Sequence, residues 1–349
     1  MLVAGNLNRN KLFQHHPMCK KFIALKNTLR HSDNDDDLVE EIIEIIKREN
    51  IDVLLPSSFD CIRLVSYNRD KFKLHCDVMP TPDLATILEL DDKYKFYLFC
   101  KKNNIPHPPS LLLEKVEDLN PDDSIPLNFP VILKPVLGSG EEGLEIFKSK
   151  SDMDNYFKTK PDKASAALPA LVQELFDGED IDFNGFAVNG EIKAWSVMRT
   201  IFYNGKNPFR LTDYIEYDEV KKLGMEIVKN SNFSGPLNID MRISKEDGRV
   251  YLIEVNPRFW ARGHTSLMDG VNYVDVGIRT ASDDTYCVTS RKSGKQWVSS
   301  LGPLLSSAFI YWDKTCWRYL KNLSKEQIEY VLFTKYFLTT AKIKQMIFR

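Results

Sequence analysis

The chain has 349 residues and 43% hydrophobic content, which is enough to bury two or three separate cores. Its formal net charge of −2 argues against a general nucleic-acid binder, because such a protein needs a basic patch or stripe to neutralise phosphates. Widely spaced cysteines and the lack of a bilayer-length apolar run argue against a zinc site, a disulfide framework and a transmembrane segment, so we expect a cytoplasmic protein without a leader sequence.

The N-terminal part alternates a helical pattern with a strand-like run. Residues 37–47 repeat apolar side chains at helical spacing, and residues 51–56 form a short apolar run typical of a buried strand. This alternation predicts βα units on a parallel sheet. An ordinary doubly wound domain begins with a strand and a glycine-rich turn. The sequence shows no such start, so we expect the first unit to be missing or reduced.

A second region follows the prolines at 80 and 82. Its patterns predict, in chain order, a Lys-rich aromatic helix at 91–102, strands at 130–135, 144–147 and 171–176, a hairpin of 181–188 with 191–200, and a helix at 218–230. The turn of that hairpin is Asn189-Gly190, a dipeptide typical of two-residue β-turns. Gly224 interrupts the last helical pattern, where a glycine is unfavourable.

Two further strand-like runs, at 236–243 and 250–256, face each other across a polar turn. A hairpin loop at 245–249 sets the antiparallel register of the two strands, so the residues that lie opposite each other can be read from their numbers. This register pairs the polar residues as follows: Asp240 with Glu254, and Asn238 with Asn256. Like charges directly opposite one another destabilise a sheet, so we expect a cation beside them.

The oxygen atoms of this hairpin suit Mg²⁺. Asp240, Glu254 and Asn256 offer hard oxygen ligands on one face, and phosphate oxygens and water would complete an octahedron. The alternative is a solvated polar face. Arg258 follows the second strand directly and favours the phosphate site, because a guanidinium can bind phosphate bidentately.

Lys134 ends an apolar strand just before the glycine-rich loop at 138–143. Glycines let a backbone approach phosphates closely, and a lysine supplies the compensating charge. The loop lies between two strands and does not match a P-loop or a dinucleotide fingerprint, so a plain turn is the alternative. Lys93, at the start of the Lys-rich helix, is by itself a solvated surface lysine. The backbone of 173–175 could read an adenine edge, and Asp180 could accept from ribose hydroxyls.

Together these elements resemble the ATP-grasp superfamily, in the branch related to carbamoyl phosphate synthetase and the carboxylate–amine ligases. The resemblance covers roughly residues 80–285, and its most specific part is Glu254-Val-Asn-Pro-Arg258, an E-x-N-P-R sequence. It implies an α/β fold of the α+β ATP-grasp type. The implied domains are a small parallel-sheet preATP-grasp domain at 1–88, a two-lobed ATP-grasp domain at 89–285 with a lid at about 128–175, and a helical, basic and aromatic extension at 286–349.

The resemblance also implies ATP as the nucleotide, bound with two Mg²⁺ ions for which Mn²⁺ can substitute. The implied metal ligands are Asp240, Glu254 and Asn256, and the implied catalytic residues are Arg258 and Lys134. The implied nucleotide contacts are Lys93, Lys134, Gly138, Ser139, Gly140, Gly143, Gln173, Glu174, Leu175 and Asp180. The chain departs from the family at Glu141 and Glu142, where two carboxylates would repel phosphates unless they turn to solvent.

The implied reaction activates a carboxylate as an acyl phosphate for attack by an amine or similar nucleophile, with release of ADP and phosphate. The partners would then be a small carboxylate and a small nucleophile. Candidates to hold the carboxylate are Arg199, Arg210, Arg258, Arg262 and His264, and Phe259 and Trp260 fit a core equally well. A non-catalytic ATP-binding regulator stays open as an alternative. Membrane-surface contact by the basic tail and a homodimer also stay open.

Overall fold

The computed structural model describes residues 2–5, 19–27, 35–118, 126–138, 143–204, 209–260, 262–288 and 296–298, together with 314, 318, 320 and 321. Ser139, Gly140, Glu141 and Glu142 of the glycine loop lie outside the described residues. So does most of the extension predicted at 286–349.

The helices are α1 Asp36–Glu49, α2 Phe59–Tyr67, α3 Arg69–Lys73, α4 Leu84–Asp91, α5 Lys93–Lys102, α6 Lys150–Thr159, α7 Pro161–Ala166, α8 Asp218–Asn230 and α9 Tyr273–Ser282. The strands are β1 Leu2–Gly5, β2 Lys21–Ala24, β3 Val53–Leu54, β4 Asp77–Val78, β5 Ser110–Leu113, β6 Val131–Pro135, β7 Glu145–Phe147, β8 Ala170–Glu174, β9 Gly178–Val188, β10 Glu191–Asn204, β11 Phe209–Ile215, β12 Gly235–Ser244, β13 Val250–Asn256 and β14 Gln296–Val298. Short 3₁₀ turns occupy Val116–Asp118 and Gly263–Asp269.

Two short pairs of parallel strands form the N-terminal part: β1 with β2, and β3 with β4. Asp35 caps α1 by accepting from Leu38 N, and the apolar face of α1 packs in a cluster that includes Leu64 and Phe72. The sequence predicts that the first βα unit is missing or reduced. The short apolar run Leu2–Gly5 is a strand of its own, β1, because its backbone pairs in parallel with β2.

An antiparallel sheet in the order β5-β8-β6-β7 forms the next lobe. Its core includes Leu133, Met153 and Val172, contributed by the sheet and by α6. Ser149 caps α6 by accepting from Asp152 N, so this N–H group in the first turn of the helix has a hydrogen-bond partner. The predicted boundary between residues 88 and 89 falls inside α4.

The largest sheet has the order β13-β12-β9-β10-β11-β14. Apolar residues at odd positions of β9 and β12, such as Phe183 and Ile239, face a core shared with α5 and α8. Because side chains alternate along a strand, the even positions lie on the other face, where Asp182 and Asp240 are polar and Phe186 packs in a second apolar cluster. At the outer edge of the sheet, Leu252 N donates to Pro106 O at 2.9 Å.

Gly224 marks the closest approach of α8 to this sheet. A Cβ at that position would lie 2.4 Å from Phe183 Cγ, so the glycine that interrupts the predicted helix is required by packing. The predicted turn between β9 and β10 is confirmed: Asn189 and Gly190 have φ values of 49° and 77°, as a type I′ turn requires. Of the described helices, none is long and apolar enough to cross a bilayer.

Candidate functional site

The structure confirms the predicted register at the polar end of the β12–β13 hairpin. The pairs there are Asp240 with Glu254, and Asn238 with Asn256. Nearer the turn the prediction is wrong by one residue, because a bulge at Ile253 places Met241 opposite Leu252. Leu252 is fully buried in the core, whereas Ile253 is only half-buried. The extra residue lets Glu254 stay on the polar face while the rest of β13 still fills the core.

A third carboxylate extends the pair into a row across three strands. Asp182 on β9 lies opposite Asp240 on β12, which lies opposite Glu254 on β13. We call these three residues the carboxylate row. Burial raises the pKa of Asp240 well above its usual range, and the charges of Asp182 and Glu254 add to that shift. Arg262 Nη2 donates to Asp182 Oδ2 at 3.0 Å, so a positive charge holds one end of the row.

Three buried amides form a second row beside the first: Asn184, Asn238 and Asn256. Asn256 Nδ2 lies 3.4 Å from Asp240 Oδ2 and 3.3 Å from Glu254 Oε1. Arg258 Nη2 donates to Asn256 Oδ1 at 2.8 Å. The Asn256 amide therefore donates toward the two carboxylates through Nδ2 and accepts from Arg258 through Oδ1. To bind a cation through that oxygen, the amide has to turn over.

The carboxylate row fits Mg²⁺ by its chemistry. Asp240 and Glu254 bring hard oxygen ligands together at a half-buried position where their charges repel each other. Among the described residues, no group of three or more His, Cys, Asp and Glu side chains is placed to hold a metal with protein ligands alone. Phosphate oxygens and water would therefore have to fill the remaining positions, which is the usual arrangement for Mg²⁺.

Lys93 reaches the carboxylate row from the first residue of α5. Asp92 caps that helix by accepting from Tyr94 N. Lys93 Nζ donates to Gly138 O at 2.9 Å and lies 3.9 Å from Glu254 Oε2. Only 9% of Lys93 is exposed, so the alternative of a solvated surface lysine is wrong. The lysine joins the start of the glycine loop to the edge strand of the sheet.

Lys134 is also buried, with 8% of its surface exposed. Its Nζ donates to Gln173 Oε1 at 2.7 Å. Burial lowers the pKa of Lys134 to about 8, and the negative charge of Glu254 opposes that change. The two lysines come from different lobes, since Lys93 lies on α5 and Lys134 on β6. They converge on the same edge of the carboxylate row.

Gln173 has two further neighbours that the sequence did not indicate. Its Nε2 lies 3.4 Å from His107 Nε2 and donates to Ser110 Oγ at 3.2 Å. His107 Nδ1 lies 2.8 Å from Pro108 O. Burial lowers the pKa of His107 to about 4, and the charge of Lys134 acts in the same direction.

The backbone N–H groups at the end of β8 and directly after it donate to carbonyl oxygens of the protein. Glu174 N donates to Pro109 O at 3.0 Å, and Leu175 N donates to Pro130 O at 2.9 Å. The Glu174 carboxylate accepts from Asn128 N at 2.7 Å. These N–H groups therefore join the linker to its own lobe in this structure.

The remaining predicted nucleotide contacts lie at strand and loop ends. Asp180 is exposed at the start of β9, with its Oδ1 3.6 Å from Arg242 Nε. Gly138 and Gly143 flank the glycine loop with φ values of 113° and 76°, which other residues rarely adopt. A Cβ on Gly143 would lie 2.7 Å from Pro135 Cγ, so the loop returns close against the end of β6.

The structure shows where some of the candidates for binding a carboxylate lie. Met198 pairs with Asp182, so its neighbour Arg199 lies on the opposite face of the sheet, where it donates to Asp213 at 3.3 Å. The prediction that Arg199 lines the cleft is therefore wrong. Trp260 packs against Tyr273 beside a core cluster, as the core alternative predicts. The side chains of two candidates lie outside the described residues: Arg210 and His264.

Three residues of the site were missed by the sequence reasoning: Asp182, His107 and Asp91. Asp182 had a signal, since it follows Asp180 at the spacing that puts both on one face of a strand. His107 had none, because Gln173, its partner in the site, lies 66 residues away in the chain. Burial raises the pKa of Asp91, and the charges of Lys93 and Arg258 oppose that shift, so Asp91 belongs to the same charged neighbourhood.

The part of the chain that contains this site is similar to known proteins. Residues 90–262 match the ATP-grasp domain. The carbamoyl phosphate synthase arginine-specific large chain of Geobacillus stearothermophilus is 26% identical in an alignment over 189 residues. The alignment covers 49% of this chain and 16% of that relative. The chain thus spans less than a fifth of the length of this relative.

Solved structures share the fold at low sequence identity. The biotin carboxylase domain of 2-oxoglutarate carboxylase from Hydrogenobacter thermophilus, in complex with MgADP and bicarbonate, has a TM-score of 0.65 and 15% identity over 85% of this chain and 68% of that one. The L-amino acid ligase from Bacillus licheniformis has a TM-score of 0.58 and 16% identity over 80% of this chain and 66% of that one. Residues 90–262 are therefore an ATP-grasp domain.

Proposed function

We propose that this protein is an ATP-dependent ligase that activates a carboxylate as an acyl phosphate. An amine or similar nucleophile then attacks the acyl phosphate, and ADP and phosphate are released. The observation that carries the proposal is the convergence of Lys93 and Lys134 on the carboxylate row, with Arg258 bound to Asn256 beside it. The names of the carbamoyl phosphate synthase chain and the L-amino acid ligase support the same reaction class.

The metal ligands in this proposal are Asp240, Glu254 and Asn256. These residues would hold Mg²⁺, which would supply charge neutralisation for the phosphates during phosphoryl transfer. The two carboxylates are already held opposite each other by the sheet, so the protein does not have to assemble them. Asn256 contributes its oxygen once its amide turns from Arg258 toward the carboxylates.

The cationic residues act on the phosphates from the other side. Lys134 is fixed by Gln173 in a buried position, where its charge is screened less than it would be in water. Lys93 donates to Gly138 O and so ties the start of the glycine loop to the site. We assign Ser139, Gly140 and Gly143 of that loop to phosphate binding. Arg258 has further N–H groups beyond the one that donates to Asn256, and we assign them to the transferred phosphate.

The adenosine moiety is assigned to the linker between the two lobes. Gln173, Glu174 and Leu175 lie at the end of β8, and Asp180 lies at the start of β9, where a ribose could be held. The acceptor carboxylate is assigned to the neighbourhood of Arg258 and Arg262. An acyl phosphate hydrolyses readily in water, so closure of the small lobe over the row would protect it.

Positional isotope exchange tests this proposal directly. The protein is incubated with Mg²⁺, ATP labelled in the β,γ-bridge and pools of small carboxylates, before any amine is added. Exchange that depends on one carboxylate reports the acyl phosphate, and mass spectrometry after addition of amines identifies the product. Formation of AMP and pyrophosphate would contradict the proposal. So would MgATP binding without ADP release in every pool, since that behaviour belongs to a nucleotide-binding regulator.

Two variants make this assay specific for the site. Glu254→Gln should abolish exchange and ADP release, because it removes a charged metal ligand. Glu246→Gln, in the exposed turn of the same hairpin, should leave both unchanged.

A further inference from the structure

A chain of hydrogen bonds runs from Pro108 through His107 and Gln173 to Lys134, and its two ends fix the direction of every bond. The Pro108 carbonyl can only accept, so His107 Nδ1, 2.8 Å away, carries the proton. The Lys134 ammonium can only donate, so the atom of Gln173 that meets it at 2.7 Å is Oε1. The Gln173 amide nitrogen then points to His107 Nε2, 3.4 Å away.

The neutral His107 ring accepts from Gln173 only while its Nε2 is unprotonated. That tautomer is the one selected by the Pro108 carbonyl at the other ring nitrogen. Burial lowers the pKa of His107 to about 4, so the ring is neutral at pH 7. Phe96 and Tyr97 lie against the ring, with centroids 5.7 and 5.2 Å from it, and hold it in place.

Reversal of the Gln173 amide would break this chain at both ends. Its N–H groups would then face the Lys134 ammonium, which has nothing to accept them. Ser110 Oγ also accepts an N–H of Gln173, at 3.2 Å, and its own hydroxyl donates to Pro108 O at 2.8 Å. Neither Ser110 nor the ring nitrogen of His107 can donate to a reversed amide without losing its bond to Pro108. His107 and Ser110 therefore both select this orientation of the Gln173 amide.

We propose that His107 is a positioning residue that fixes the Gln173 amide so that Gln173 Oε1 holds the Lys134 ammonium in place for the phosphates of a bound nucleotide. The inference rests on the proposed function, since it takes Lys134 as a nucleotide ligand. It goes beyond that function by giving a role to a residue that touches neither the nucleotide nor the metal ligands.

The test measures the affinity of the full chain for MgADP by calorimetry, because that measurement needs no knowledge of the acceptor. His107→Phe keeps the ring packing and removes both nitrogens, and we expect it to weaken MgADP binding about tenfold. The exposed His75 supplies the matched control, and His75→Phe should leave the affinity unchanged. A double-mutant cycle with Lys134→Met separates positioning from a general structural effect. In the Lys134→Met background, His107→Phe should change the affinity less than about twofold.

Each contrary outcome has a distinct meaning. If Lys134→Met weakens binding and His107→Phe does not, the positioning role is overturned while the nucleotide site stands. Equal effects of His107→Phe in both backgrounds would also overturn it, because the effect would then not pass through Lys134. If Lys134→Met itself leaves the affinity unchanged, both the role of Lys134 and the inference fall. Nitrogen NMR of wild-type histidine at pH 7 needs no variant: a proton on Nε2 of His107, instead of Nδ1, would overturn the inference.

Discussion

Asp182 and Asp240 lie directly opposite each other on the neighbouring strands β9 and β12. Arg262 donates to Asp182, so its positive charge lies at the Asp182 end of the carboxylate row and not beside Asp240. The middle residue, Asp240, is left between two like charges. Two predictions about stability depend on this arrangement.

Asp240→Asn should stabilise the protein in the absence of nucleotide, by on the order of 1 kcal/mol, and should abolish ADP release. The asparagine has nearly the same shape, and it removes a buried charge whose pKa is raised by burial and by its neighbours. Urea unfolding at pH 7.5 measures the free energy of unfolding. Glu246→Gln on the exposed turn serves as the control. A lower unfolding free energy for Asp240→Asn would show that the row is not under electrostatic strain.

Arg262→Met should destabilise the protein by about 2 kcal/mol, because it removes the cation that pairs with buried Asp182. Adding Asp182→Asn to this variant should restore most of the loss, since the uncompensated charge is then gone. Thermal unfolding of the two single variants and the double variant gives the coupling energy. Additive losses in the double variant would count against a direct pair.

The free energy of unfolding should depend on pH through His107. Its pKa in the native protein is lowered to about 4, whereas the unfolded chain takes up a proton near 6.5. This contribution is therefore fully present above pH 6.5 and is lost as the pH falls toward 4, by up to about 3 kcal/mol. Between pH 7.5 and pH 5, wild type should lose about 2 kcal/mol more than His107→Phe in urea unfolding. Parallel pH profiles would refute the prediction.

Gly224→Ala should destabilise the protein even though alanine favours helices. The gain in helix propensity is about 1 kcal/mol, but the new Cβ would lie 2.4 Å from the ring of fully buried Phe183. We expect a net loss of roughly 1–2 kcal/mol in chemical unfolding. Lys222→Ala, on the exposed face of the same helix, should change stability by less than about 0.5 kcal/mol. Equal stability of Gly224→Ala and wild type would mean that α8 can move away from the sheet.

Local patterns were sufficient to predict much of this molecule. Alternation and a loop of defined length fixed the pairing of Asp240 with Glu254, and the Asn189-Gly190 turn fixed the β9–β10 hairpin. The bulge at Ile253 could not be predicted in this way, because it depends on how β13 fits the core beneath it.

Non-local contacts explain what the sequence reasoning missed in the site. Asp182 joins the carboxylate row only because β9 is the neighbour of β12, and that neighbour relation is a property of the sheet topology. His107 and Gln173 are 66 residues apart and meet because β5 pairs with β8. Such pairings have no signature in either segment by itself.

The bond from Leu252 N to Pro106 O affects how easily a second chain could pair with β13. β13 is an edge strand, and an open edge next to a polar site is a template for pairing with a second chain. The proline-rich segment that contains Pro106 covers part of that edge, and Pro106 itself has no N–H with which to recruit another strand. Glu254 therefore lies on an edge strand that is partly covered. Loss of the bond between Leu252 and Pro106 should expose this edge and promote aggregation.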